Sequence, residues 1–146
     1  MIQHFTHLLR VRYSECDAQK VVYNAKYAEF VDIAATEFTR AIWGDYTELL
    51  ERGYDNQVVD LHISWKASAR FDDVLAIQIH TLRIGKTSYA LQCNFLNHST
   101  GEAIVKAEIT YVMVSPEKHE KMIIPEGLRL SLEKGAPGVV ANHAGV

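Results

Sequence analysis

Tyr27, Phe30, Val31, Ala34, Phe38, Ala41 and Ile42 recur at three- and four-residue intervals, and the pattern then stops. This predicts one helix of about five turns at ~3.6 residues per turn, with a single apolar stripe. Asn24 is its expected N-cap and Gly44 its expected stop. A helix with one apolar stripe has to be covered, and the rest of the chain supplies the cover. Val59, Leu61, Ile63 and Trp65 alternate with polar residues. So do Leu75, Ile77 and Ile79, then Tyr89, Leu91, Cys93 and Phe95, then Val105, Ala107, Ile109, Tyr111 and Met113. Period two is the mark of a strand with one buried face. His7 to Ser14 adds a strand ahead of the helix. Asp45 and Glu48, followed by Gly53, bracket a short second helix. The order strand, long helix, short helix, four strands predicts an α+β fold, a five-stranded antiparallel sheet wrapped around the long helix.

Pro116 and Pro125 mark the end of the sheet, and Leu128, Leu130 and Leu132 fall in a short segment expected to be peripheral. Residues 135–146 are small and glycine-rich, so 1–134 is expected to be one domain and 135–146 a mobile tail. A chain of 146 residues is large enough for a real core. Its net charge of −3 gives no ground for a general nucleic-acid binder. Its apolar runs are too short for membrane insertion, and no secretory signal is visible. Cys16 and Cys93 make neither a disulfide framework nor a zinc pattern. The seven histidines show no ligand spacing, so no metal is expected. The expected setting is a reducing cytoplasm.

The chemistry concentrates in Asp17-Ala18-Gln19-Lys20-Val21-Val22-Tyr23-Asn24, just ahead of the helix. A helix N-terminus carries unpaired N–H groups and partial positive charge, which can hold an oxyanion or a polarised carbonyl. A carboxylate beside them can act as a nucleophile or as a general base on water. Together they are most of what ester or thioester hydrolysis needs. Against this, Asp17 can simply complement the helix dipole, and Asn24 can simply cap.

Arg12-Tyr13-Ser14-Glu15-Cys16-Asp17, then Val21-Val22-Tyr23-Asn24-Ala25-Lys26-Tyr27, resembles the signature of the 4-hydroxybenzoyl-CoA thioesterase family of hotdog-fold proteins. Phe71-Asp72-Asp73-Val74-Leu75 and Gly85-Lys86-Thr87-Ser88-Tyr89 extend the match, over roughly residues 6–114. The resemblance implies a hotdog sheet around a central helix, sheets joined edge to edge in a homodimer or homotetramer, and an acyl-CoA substrate with no cofactor. It places catalysis on Asp17 and on the backbone at or beside Asn24. Tyr23, Tyr27, Lys86, Thr87 and Ser88 become the expected substrate contacts, the last three along the CoA. One departure stands out: where the family has glycine two or three residues after the aspartate, this chain has Gln19 and Lys20. The segment Asn24-Ala25-Lys26-Tyr27 leans toward the fatty-acyl branch.

Other residues have plainer readings. Glu15 is expected on the surface, Cys16 as a small buried hydrophobe, and Asp72-Asp73 as turn residues. Gly85 is expected to supply a positive φ. His62 falls on the polar face of its strand, and Arg70 and Arg83 are further candidate phosphate partners. The alternative to an enzyme is a non-catalytic acyl-CoA-binding or regulatory hotdog domain, and the presence of Asp17 favours the enzyme.

Overall fold

In the computed structural model, which describes residues 4–146, the helical stripe forms α1, Lys26–Trp43. Tyr27, Phe30, Val31, Ala34, Ala35 and Phe38 are buried along it. The stripe closes on Trp43 rather than on Ala41, which is exposed. Gly44 ends the helix at φ 86°, a conformation that suits glycine, and its N–H donates to the Arg40 carbonyl. Asp45 caps α2 (Tyr46–Glu51) by accepting from the Thr47 N–H.

The strands are β1 (Phe5–Arg10), β2 (Asp55–Trp65), β3 (Val74–Ile84), β4 (Ser88–Asn97), β5 (Ala103–Val114) and β6 (Val140–Asn142). They form one sheet in the order β2-β5-β4-β3-β1-β6. The first five are antiparallel neighbours, and β6 pairs in parallel with β1. β1 starts earlier than the alternation suggests and stops at Arg10, because Tyr13–Glu15 turn into a single 3₁₀ turn. One face of the sheet packs on α1. Phe5 meets Phe38 at 5.6 Å between ring centroids, and Phe95 meets Tyr27 at the same separation. A fully buried side chain of this size is worth ~1.5–3 kcal/mol, so this seam dominates the stability of the fold.

Two expectations about the C-terminal part need correction. Leu128, Leu130 and Leu132 do not lie in a peripheral segment. They sit in helix α3 (Glu126–Lys134), where Leu128 and Leu132, four residues apart, enter the main core and Leu130 faces out. The Trp43 indole donates to the Leu128 carbonyl at 3.2 Å and docks α3 on the end of α1. The segment 135–146, read as a tail, supplies the sixth strand. Thr6 donates to Val139 and His143 to Leu8, at 3.0 and 2.9 Å. Ala144 covers Leu8, Val74 and Ala76 on the face away from α1. Backbone pairing needs no large side chains, so composition carried no sign of it.

β2 is the long edge of the sheet, the three-residue β6 being the other. Its side chains are largely exposed, Val58, Val59 and Trp65 among them, and its register with β5 shifts between Val58 and Asp60. Among the described residues no helix is long and apolar enough to cross a membrane.

Candidate active site

The connection from β1 to α1 is folded by its own backbone. Asp17 N–H donates to Val21 O and Lys20 N–H to Asp17 O, both at 2.9 Å. Asp17 Oδ1 accepts from Gln19 N–H at 2.8 Å. Lys20 stands at φ 65°, in the left-handed region. Lys20 is one of the two positions, with Gln19, at which the resemblance leads one to expect glycine, and here a lysine adopts the glycine conformation at a cost of ~1 kcal/mol or more. The loop is then sewn to its surroundings. Tyr23 N–H donates to Glu15 O, and Val22 N–H to Ala69 O, both at 2.9 Å.

Glu15 is 3% exposed, not the surface residue expected. Its carboxylate accepts from the Arg12 N–H at 2.7 Å and the Arg12 guanidinium at 3.0 Å. Both bonds are to a charged acceptor, which makes them strong, and they hold the 3₁₀ turn that leads into Asp17. Cys16 lies between Glu15 and Asp17. Burial, then the carboxylates of Asp17, Glu15 and Asp73, push its thiol up, the wrong direction for a thiolate nucleophile.

Asn24 does not cap α1. Ala25 holds the N-cap position, with helical φ/ψ and no side-chain hydrogen bond. The reason is that Tyr23, Asn24 and Ala25 already turn: Lys26 N–H donates to Tyr23 O at 2.9 Å. Among the described residues no backbone oxygen pairs the N–H of Asn24 or Ala25. The helix therefore begins with free donors and no capping side chain of its own.

These parts surround one cleft of about 380 Å³, lined by Asp17, Tyr23, Asn24, Tyr27, Trp65 and Ser68, with Gln19, Val21, Val22 and Ala67 between them. Asp17 is half-buried at its margin. Tyr23 is 51% exposed and forms an outer wall, whereas Tyr27 is 2% exposed and contributes mainly to the core. Burial pushes the Tyr27 hydroxyl up and keeps it protonated. Asp17 also borders a second cleft, of about 520 Å³, lined by Tyr13, Cys16, Ala18, Lys20 and Phe71. Trp65 and Ser68 were not anticipated. The only hint was Trp65 itself, a large apolar residue ending an alternating run at the free edge.

Lys86, Thr87 and Ser88 are elsewhere in the chain. They lie in the β3–β4 hairpin, and none lines the Asp17 cleft. The Lys86 carbonyl accepts from Ile124 N–H and the Thr87 carbonyl from Met113 N–H, at 3.0 and 2.8 Å. Gly85 is not at positive φ. It is needed for close approach: a Cβ there would come 2.9 Å from Ser88 Oγ. Asp72 and Asp73 do shape the turn before β3, with Asp72 at φ 70° and Asp73 accepting from Arg70 N–H at 2.9 Å. His62 is exposed beside Ser64 on β2.

Chemically, the cleft brings together one carboxylate, with Oδ2 free of protein partners among the described residues, and Asn24, whose N–H has no backbone partner there, just ahead of the helix. That combination can polarise a carbonyl and deliver or activate a nucleophile to it.

Comparison with known proteins bears on this geometry. Residues 11–132 match the family model described as the thioesterase-like superfamily. An acyl-CoA thioester hydrolase, YbgC of Escherichia coli O6:H1, is 29% identical over 120 residues, covering 82% of this chain and 89% of that protein. A crystal structure of a thioesterase-superfamily protein from Jannaschia superposes with TM-score 0.84 at 20% identity, over 92% of this chain and 94% of that one. A 1,4-dihydroxy-2-naphthoyl-CoA thioesterase from Synechocystis superposes with TM-score 0.79 at 14% identity, over 88% and 94%. At such identities the two structures speak for the fold, which is the hotdog fold.

Proposed function

We propose that this chain, which belongs to the thioesterase-like superfamily, hydrolyses an acyl-CoA thioester to the free acid and CoA. The observation that carries the reading is the shared cleft of Asp17 and the uncapped start of α1. The thioester carbonyl sits against the free N–H groups at Asn24 and Ala25, which stabilise the negative charge that develops on its oxygen. Asp17 acts as nucleophile, forming a mixed anhydride that water then opens, or as general base on water that attacks directly. In either route the C–S bond breaks, CoA leaves as the thiol, and one water is consumed. Asn24 contributes through its backbone. No metal or organic cofactor is required by this chemistry.

The free β2 edge supports a homodimer, because an exposed strand of this length presents a row of unpaired N–H and C=O groups. In a two-fold antiparallel pairing centred near Asp60, the midpoint of β2, Trp65 of one copy comes opposite Asp55 of the other. The Asp17 cleft of one chain then lies at the boundary with its neighbour. CoA phosphates meet the Lys86 hairpin of a second copy, since within one chain that hairpin is away from the cleft.

The test is a panel of acyl-CoA thioesters, short to long aliphatic plus aromatic, assayed by release of free thiol. The expected result is saturable turnover of at least one class. Binding of acyl-CoA without turnover of any would replace the enzyme with an acyl-CoA-binding domain.

A further inference from the structure

A further cavity, of about 310 Å³, lies beside the middle of α1, between that helix, α2 and the first residues of β2. It shares no lining residue with the Asp17 cleft. Two of the polar atoms in its wall, Tyr89 Oη and Asn56 Oδ1, are buried and have no hydrogen-bond partner among the described residues. Tyr89 is 1% exposed, so its hydroxyl has been taken out of water with nothing in exchange. Leaving a buried polar group unpaired is unfavourable, and two such groups on one cavity are explained by something that enters it.

The lining is rich in acceptors because most of its donors are already used. Thr36 donates to the Asp32 backbone carbonyl at 2.8 Å, and Thr39 to the Thr36 backbone carbonyl at 3.0 Å. Tyr46 donates to the Asp55 carboxylate. These three hydroxyls therefore have only lone pairs left to offer. Asp32, exposed on α1, adds a carboxylate that belongs to none of the ion pairs among the described residues. Among the described residues no lysine, arginine or histidine lines the cavity. Burial, then the neighbouring Tyr111, Tyr46 and Asp55, push the Tyr89 hydroxyl up, so it stays a neutral O–H and Asp32 is the one charged group of the lining. The stacked pair Tyr89–Tyr111, 5.1 Å between centroids, and Val58 make the rest of the wall aromatic and apolar.

We propose that this cavity binds a small primary amine, as its ammonium ion, at a site separate from the Asp17 cleft. A primary ammonium has three N–H donors and no acceptor. The cavity matches it with three acceptors: the Asp32 carboxylate, Asn56 Oδ1 and Tyr89 Oη. The positive charge meets one carboxylate and aromatic rings, whose faces attract cations. The carbon body lies along Tyr111 and Val58. A carboxylate ligand is repelled by Asp32. An alcohol brings one donor and no charge. A quaternary ammonium brings charge but no donor, and leaves Tyr89 and Asn56 unpaired. The selection thus rests on two separate features, the charge of Asp32 and the orphaned acceptors. It needs neither the hydrolase reading nor a second copy, since every group in the wall comes from one chain.

The test is a titration with butylammonium chloride at neutral pH and constant ionic strength, with 1-butanol and tetramethylammonium chloride as controls. Binding is followed on the Tyr89 and Tyr111 ring signals of ¹³C-tyrosine-labelled protein. Butylammonium should give a saturable shift, and each control should bind at least about 10-fold more weakly. Asp32→Asn, and Tyr89→Phe read on Tyr111, should each weaken butylammonium by about 10-fold or more, the scale of a lost hydrogen bond to a charged group. Tyr89→Phe should not lower the melting temperature, since the hydroxyl it removes has no partner. Its loss of binding is then not a loss of fold. No saturable shift with butylammonium leaves the cavity to water and overturns the inference. So does either control binding as tightly as butylammonium, or full affinity in either variant.

Discussion

Acid should destabilise this protein through His7, well above the pH at which carboxylates titrate. His7 is on β1, fully buried on the side that faces α1, and neither ring nitrogen has a partner. The tail brings His143 against it at 4.8 Å between ring centroids, and Glu37 of α1 accompanies His143 at 3.8 Å. Burial, then the charge of His143, lower the His7 pKa from 6.5 to about 4, against a smaller opposing pull from Glu37. The unfolded chain therefore binds a proton between these two values that the folded chain refuses. Stability is complete above pH 6.5 and is lost as pH falls toward 4. A shift of this size at ~1.4 kcal/mol per unit removes about 2 kcal/mol between pH 7 and pH 5. The perturbation is His7→Leu, which fills similar space and carries no proton. Urea unfolding at fixed protein concentration should show the wild type losing about 2 kcal/mol more than the variant over that interval. Some acid sensitivity remains in the variant, because burial, His4 and Lys106 also lower His80. At pH 7 the variant should be at least as stable as the wild type. Parallel stability–pH curves for the two proteins would refute the reasoning.

Three further outcomes follow from the same contacts. Lys20→Gly should raise stability by up to about 1 kcal/mol in thermal or urea unfolding, since glycine adopts the left-handed conformation that Lys20 is forced into. Truncation after Lys134 should lower the melting temperature by several degrees and promote aggregation, read by light scattering, because it bares the β1 edge and the Leu8–Val74–Ala76 patch. Lys86→Ala should raise KM for an acyl-CoA more than it lowers kcat, and should matter less for an acyl-pantetheine that lacks the nucleotide, as steady-state kinetics on both substrates will show.

The parts of the fold that follow a hydrophobic period were legible in the sequence. The α1 stripe and the alternation of β3 to β5 each bury one face, and burial writes a period into the chain; β2 alternates as well, but as an edge strand it leaves Val59 and Trp65 exposed. The parts built from backbone were not. β6 pairs through N–H and C=O groups that any residue has, and its small side chains read as a tail. Leu128, Leu130 and Leu132 show both readings at once, since period two and period four overlap in three residues; only docking against Trp43 decides for the helix. Near the site, the Asp17-to-Asn24 segment could be named because the chemistry needs a carboxylate ahead of a helix, while Tyr23 was named as a contact only through the resemblance. Glu15 could not, since nothing local shows that its carboxylate folds back under Arg12. A cavity of about 310 Å³ lined from α1, α2, β2, β4 and β5, with Tyr89 and Asn56 in its wall, has no local signature at all. Lys86 was grouped with Asp17 by resemblance, and one chain alone keeps them apart.

The central claim is that the Asp17 carboxylate does the chemistry, and Asp17→Asn tests it most directly. The substitution keeps the shape and the Oδ1 that accepts from Gln19 N–H, so the loop should hold. It removes the charge that attacks the thioester or takes a proton from water. Measured on the best substrate of the panel, kcat should fall by at least about 100-fold, the scale of a lost general base, while acyl-CoA binding and melting temperature stay near wild type. Turnover by Asp17→Asn at a rate near wild type would contradict the account.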